Sequence, residues 1–480
     1  MEPSRNPALI DRNECHDLIV LGAGFSKAVS TALPLTDELG EKVRESLCPA
    51  DQSRLPSAQF AGGRFEEWLS YLAEDHPYLS EDQTHEARAL LYRITQAIRE
   101  VLGQAQLKAL ETDAPKWFYE LLSVLHVSQA TVVTMNYDNL IECGVESTYL
   151  PARTLIPPRV GEEDILCGLP PSAEPKVSAQ PNLSDIFKGS FTPPVPLGSP
   201  SHARSFRLLK LHGSLSWYWV PGDPTGTTLQ RWRLPGLFGQ PSQEDDEVRQ
   251  QALPGREVFI VPPAAFKSEQ LRNPIVRELW RSSNEAFRTA TRIVLIGYSL
   301  PVADRSFSGM LTEALKNREI PIEIVNTAPS PVVDQLIHLG VPSDSIKVTD
   351  EDKCVERWTS SEVDRLATAI PKRLLERKPN RKESLDIAGL KDMTGVAKVV
   401  PLGAGTASGA NADDLVVKPY PPGRPVDINP PQLPLDELKE SRRIVVEVSD
   451  RHLPVVNFEV VRHTNPGLLD QVVLVVAGKP

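Results

Sequence analysis

Residues 17–26 read DLIVLGAGFS, and this stretch decides the fold. Leu18, Ile19, Val20 and Leu21 form an unbroken aliphatic run that is too short for a buried helix. A strand without polar alternation is covered on both faces, as in a parallel sheet. The run stops at Gly22-Ala23-Gly24, a turn that punctuates the strand and opens a helix.

The same grammar recurs outward from this point. ATVVTMNYD (130–138), RLLKLHGS (207–214), EVFIVPP (257–263), RIVLIGYSL (292–300) and PIEIVNTAP (321–329) are short β-branched runs that break into polar or glycine-containing turns. Helical patterns lie between them. Residues 36–47 predict a helix capped by Thr36, with Glu38 and Glu41 in its early turns. Within 64–128, Leu90, Leu91, Ile94, Ile98, Val101 and Leu102 recur at spacings of three and four and place one apolar stripe on a helix. Residues 268–290, 303–316 and 359–378 read as further helices. Strands alternating with helices predict an α/β fold: a Rossmann-like doubly wound parallel sheet, with a helical lobe inserted at about 40–128.

Proline sets the remaining boundaries. Residues 151–205 hold eleven prolines without periodicity and read as an extended insertion. Residues 379–435 mix GAGTASGA with PYPPGRP and read as a linker between a main domain, 1–378, and a small β-rich region, 436–480. GAGTASGA has no strand-to-helix context, so it is not read as a phosphate loop. The tail has two readings: a surface that docks a partner or another subunit, and a flap folded back on its own chain. The basic run PKRLLERKPNRKE suits a helix C-terminus stabilised by cations.

Four strand ends carry the candidate chemistry: GAGFS (22–26), TMNYD (134–138), KLHGS (210–214) and IGYSL (296–300). Ligands of open parallel sheets bind outside the carboxyl ends of the strands, where these turns lie. Each motif alone has a structural explanation, since an Asx side chain at a strand end commonly caps the next helix.

Taken together and in this order, followed by Ile324-Val325-Asn326, the motifs resemble the sirtuins over roughly residues 17–330. NYD, FEEWLSYL (65–72) and GYSLPVAD (297–304) are similar to the sirtuin-like NADases of bacterial anti-phage defence. That resemblance implies NAD⁺ as substrate, with Asn136 orienting the ribose or the attacking water, His212 as general base or hydrogen-bond partner of the ribose hydroxyls, and Asp138 holding the nicotinamide carboxamide. It implies a cofactor-binding set of Gly22, Ala23, Gly24, Phe25, Ser26, Thr134, Gly297, Ser299, Leu300 and Asn326. The expected activity is NAD⁺ hydrolysis to nicotinamide and ADP-ribose by an effector that needs a trigger, a protein partner or homo-oligomerisation. Protein deacylation, ADP-ribosyl transfer and non-catalytic nucleotide sensing are the alternatives. Trp217, Tyr218 and Trp219 read as core or lid in preference to a base-stacking platform, and Glu66 as a solvated helix face in preference to a contact with the site.

The chain departs from deacetylating sirtuins in two places. ALPLTDEL (32–39) stands where they carry a GIPDFR-like loop, and the two C-x-x-C pairs of their zinc module are missing. Five cysteines, Cys15, Cys48, Cys143, Cys167 and Cys354, are scattered and form no such pair. The expected outcome of elemental analysis is therefore no stoichiometric zinc, with activity unchanged by chelators; one tightly bound zinc per chain would revive the deacylase alternative. A net charge of −11 and a pI of about 5.5 argue against a general nucleic-acid surface. No apolar run reaches the ~20 residues that span a bilayer, and the first residues lack a signal-peptide core. A cytoplasmic protein is expected.

Overall fold

The computed structural model describes residues 17–54, 65–147, 206–223, 228–242, 246–261, 273–302, 304–316, 318–376, 383–388, 397–401, 414–419, 443–448, 451–461 and 470–477. The proline-rich insertion and GAGTASGA lie outside these residues.

In chain order, β1 (Asp17–Leu21) leads into α1 (Ala23–Val29), α2 (Thr36–Ser46), α3 (Pro49–Gln52), α4 (Phe65–Ala73), α5 (Glu81–Leu110) and α6 (Lys116–Ser128) before β2 (Thr131–Thr134). Then come α7 (Leu140–Glu146), β3 (Arg207–Lys210), β4 (Gly213–Trp219), β5 (Gln230–Arg231), β6 (Gly236–Leu237), β7 (Gln240–Pro241), α8 (Asp246–Ala252) and β8 (Glu257–Ile260). The main unit ends with α9 (Pro274–Thr289), β9 (Arg292–Ile296), α10 (Arg305–Leu315), β10 (Ile322–Val325), α11 (Ser330–His338), β11 (Ile346–Thr349) and α12 (Cys354–Glu376).

The central sheet has the order β11-β10-β9-β1-β2-β3, and every pair in it is parallel. This is the doubly wound α/β sheet expected from the alternating pattern. The chain moves from β1 toward β3, then returns to the other side of β1 at β9. The switch point therefore falls between β1 and β9, beside GAGFS and IGYSL. Leu18, Val20, Leu21, Val132, Val133, Leu209, Ile293 and Ile296 are all fully buried, which explains the unbroken aliphatic runs.

The helical lobe between β1 and β2 has its own core. Leu90, Ile94, Ile98 and Leu102 pack with Leu39, Val43, Phe65, Trp68 and Leu69, and with Tyr218 and Ile260 from β4 and β8. The stripe foreseen on α5 is thus its buried face, with Leu91 and Val101 at the rim. Thr36 is the first helical residue of α2 and not its cap. Leu35 takes that place, and its backbone N–H donates to Glu38 Oε2 at 3.2 Å.

A second six-stranded sheet follows, of mixed direction: β12 (Glu383–Ala388), β13 (Ala397–Pro401), β14 (Leu415–Pro419), β15 (Ile444–Val448), β16 (Arg451–Val461) and β17 (Asp470–Val476), in the order β12-β17-β16-β15-β14-β13. Its last three strands are the β-rich runs read in the tail. The first three fall inside the stretch read as linker: β12 and β14 pair with the tail strands β17 and β15, and β13 adds to the edge of the sheet on β14. Val456 and Ala477 pack on Val363 and Leu366 of α12 and on Val124 and Val127 of α6, so the tail lies as a flap on its own chain.

His126 is buried in α6, and loss of hydration pushes its pKa down to about 4 from 6.5. The unfolded chain takes up this proton below about pH 6.5, whereas the folded chain resists until about pH 4, so stability falls as pH drops through that window. Between pH 7 and 5 the expected loss from this residue is about 2 kcal/mol. Denaturant titrations at the two pH values should show it, and His126→Phe should remove it; an unchanged pH slope in that variant would be the contrary result.

Candidate functional site

The β1 and β9 turns interlock through their backbones. Gly22 N–H donates to Ile296 O at 3.0 Å, and Gly24 N–H to Gly297 O at 2.9 Å. Gly297 adopts φ +58°, and a Cβ there would stand 2.2 Å from Phe25 N. Both the left-handed conformation and the close approach exclude other side chains. The turn is thereby welded to the sheet at the switch point.

The β2 turn closes over the same place. Thr134 Oγ1 donates to Leu21 O at 2.9 Å, and accepts from Asn136 N–H at 3.1 Å, which ties β2 to the end of β1. Asn136 Nδ2 lies 2.9 Å from Gly22 O and 2.8 Å from Ser26 Oγ, which in turn donates to Asp138 Oδ2 at 2.7 Å. Gly22, Ser26, Asn136 and Asp138 therefore form one connected cluster. Burial pushes the Asp138 carboxyl above its usual range, opposed by the Lys210 cation and the Ser26 hydroxyl.

His212 sits at the end of β3, with its side chain 6% exposed. Its ring centroid lies 6.4 Å from those of Tyr137 and Trp280, and Nε2 is 3.9 Å from Asp304 Oδ2. Its carbonyl accepts from Val261 N–H at 2.8 Å, while Val261 O accepts from Tyr137 Oη at 2.7 Å. The following Gly213 has φ +83°, and a Cβ there would meet Phe259 O at 2.3 Å, so the glycine of the His-Gly pair lets β4 start against β8.

Other residues of the expected set have plainer positions. Phe25 is a core side chain that packs at 6.2 and 6.1 Å on Trp117 and Phe118. The N–H groups of Gly24 and Phe25 are already engaged, the second with Gly22 O at 3.0 Å. Ala23 is half-buried and Ser299 exposed; Leu300 is buried at φ +48° in the β9 turn. Asn326 caps the end of β10, with Nδ2 3.4 Å from Tyr298 O. Trp217 and Tyr218 are core residues.

Three contributors stand outside the expected site set. Glu66, read as solvated, is half-buried, and its charge helps raise the phenols of Tyr137 and Tyr298, which burial already pushes well above the usual tyrosine range. Asp304 acts on the same two phenols and accepts from Tyr298 Oη at 3.4 Å. Lys210 is 1% exposed; Nζ donates to Glu142 Oε1 at 2.8 Å and to the carbonyl of Asp138. Asp304 and Lys210 stood within quoted motifs, but nothing in their spacing marked them as buried. Among the described residues, no group of three or more His, Cys, Asp or Glu side chains is placed to hold a metal ion.

Fold and site together define a doubly wound α/β protein with a connected polar cluster at its switch point. No family model matches the chain. No curated protein matches it either. Among solved structures it is similar to a Sir2 protein in complex with a p53 peptide and NAD⁺, at 13% identity and a TM-score of 0.31, over 74% of this chain and 95% of that one. No helix among the described residues is long and apolar enough to cross a membrane.

Proposed function

We propose that the chain hydrolyses NAD⁺ at the nicotinamide–ribose bond, releasing nicotinamide, ADP-ribose and a proton. The observation that carries this reading is the meeting of Asn136, Ser26 and Asp138 with the interlocked glycine turns at the switch point. The bond between ribose C1′ and the pyridinium nitrogen breaks with its electron pair going to nicotinamide, and water adds to C1′. Its surplus proton goes to His212, whose imidazolium is stabilised by the Asp304 carboxylate 3.9 Å away. Asn136 orients the ribose or the water, and Asp138 as carboxylate accepts from the carboxamide. The backbone around Gly22, Ala23 and Ser26 lines the pyrophosphate, Gly297 and Ser299 the adjoining phosphate and ribose, and Asn326 the adenosine ribose.

Glu66 and Asp304 add a negative field where the ribose becomes oxocarbenium-like. Glu66→Gln and Asp304→Asn are each expected to lower kcat about 10- to 100-fold with little change in KM. A rise in KM at constant kcat would assign them to ground-state binding instead.

Following the motifs, the enzyme is a regulated anti-phage effector, held silent until a trigger, a protein partner or oligomerisation releases it. Incubating activated protein with NAD⁺ and separating the products tests the reaction: equimolar nicotinamide and ADP-ribose are expected. Intact NAD⁺ overturns the proposal. Consumption only in the presence of an acyl-lysine or protein acceptor replaces it with deacylation or ADP-ribosyl transfer.

A further inference from the structure

The described tyrosines divide sharply by place. Tyr119, Tyr137, Tyr218 and Tyr298 are buried. Tyr71, Tyr78 and Tyr92 are instead 37%, 69% and 50% exposed, and all three belong to the corner where α4 turns into α5. Aromatic rings gathered on one exposed surface point to a contact site, because tyrosine is a recurrent anchor of protein interfaces.

The rings are fixed by their own neighbours. His76 stacks on Tyr71 with centroids 4.2 Å apart at 26°, and on Tyr78 at 5.3 Å and 29°. His76 Nε2–H donates to Tyr71 O at 2.9 Å, and Tyr78 Oη to Tyr71 Oη at 3.4 Å. Arg88 Nη2 donates to Asp75 Oδ1 at 2.7 Å and holds the turn against α5. Tyr92 lies one helical turn beyond Arg88, on the same face. These bonds explain His76 and Asp75 as local closure of the turn. They do not explain Tyr78, which leaves most of its ring in water. A stack already held in one arrangement loses little freedom when something lies against it.

Charge says what that something carries. Residues 65–92 hold seven acidic residues against one arginine, Arg88, and no lysine. Arg88 is engaged by Asp75, while Glu74, Glu81 and Asp82 enter no ion pair among the described residues. Carboxylates beside aromatic faces attract a guanidinium twice, through its charge and through its flat, weakly hydrated plane. An ammonium offers no plane to stack, and phosphate-bearing surfaces are repelled.

We propose that the α4–α5 corner docks a protein segment that presents arginine side chains, with guanidinium groups on Tyr71 and Tyr78 and their charge met by Glu74, Glu81 and Asp82. The surface uses no residue of the switch-point cluster, so the inference stands apart from the NAD⁺ reading.

Fluorescence anisotropy of the full chain with a labelled peptide of alternating arginine and glycine tests it. Binding is expected, about tenfold tighter than that of the matched lysine peptide. The double variant Tyr71→Ala with Tyr78→Ala keeps the net charge and should weaken the arginine peptide about tenfold. Absence of binding at millimolar concentration, equal affinity for the two peptides, or unchanged affinity in the double variant would each overturn the proposal. Self-association of the chain that the double variant abolishes would overturn it too, in favour of a second copy at this corner. Should the double variant fail to fold, Tyr78→Ala at its more exposed position decides alone.

Discussion

Alanine at Asn136 or at His212 is expected to reduce NAD⁺ consumption by at least about 10²-fold, the usual worth of a positioned acid–base group, while the fold survives. The two losses should differ in kind. His212 Nε2 faces Asp304 and is otherwise packed among Tyr137 and Trp280, so His212→Ala removes the proton acceptor and lowers kcat with NAD⁺ affinity retained. Asn136 bonds to Gly22 O and Ser26 Oγ, so Asn136→Ala also loosens the turn and should weaken NAD⁺ binding. Nicotinamide release measured beside NAD⁺ binding separates these effects. Wild-type turnover in an activated preparation of either variant would remove that residue from the mechanism.

Lys210→Met should be the most damaging single change to stability. Its ammonium is buried and neutralises Glu142, whose side chain is 8% exposed, while also satisfying the carbonyl of Asp138. Losing one partner of a buried pair leaves the other uncompensated, at a cost of about 3–5 kcal/mol. Glu142→Leu in the same chain should recover much of that loss, because the stranded charge goes with it. Recovery of activity should lag behind recovery of stability. Without the lysine cation, burial raises the Asp138 carboxyl further, so its carboxylate is lost at a higher pH and the acid limb of activity shifts upward. Chemical denaturation and pH–rate profiles of the single and double variants check both points. A loss below about 1 kcal/mol in Lys210→Met would show the pair to be dispensable.

What the sequence determined by itself was local in origin. A run such as Leu18–Leu21 that ends in glycines states its own environment, because only a strand covered on both faces tolerates four aliphatic side chains in succession. The α5 stripe was readable for the same reason, since helical periodicity is written into neighbouring positions. The polar strand ends were legible as candidates because strand direction places all of them at one edge of a parallel sheet.

Tertiary structure alone decided which of those residues meet. Ser26 lies 112 positions from Asp138, and their hydrogen bond exists only because β1 and β2 are neighbours in register. Glu66 carried the pattern of a solvated helix face until the lobe turned it toward Tyr137 and Tyr298. The valine runs of β13 and β14 looked like linker because the strands that complete their sheet lie farther along the chain, beyond Arg443. Burial, charge compensation and strand partnership are properties of pairs brought together from afar, and a one-dimensional pattern records only one member of each pair.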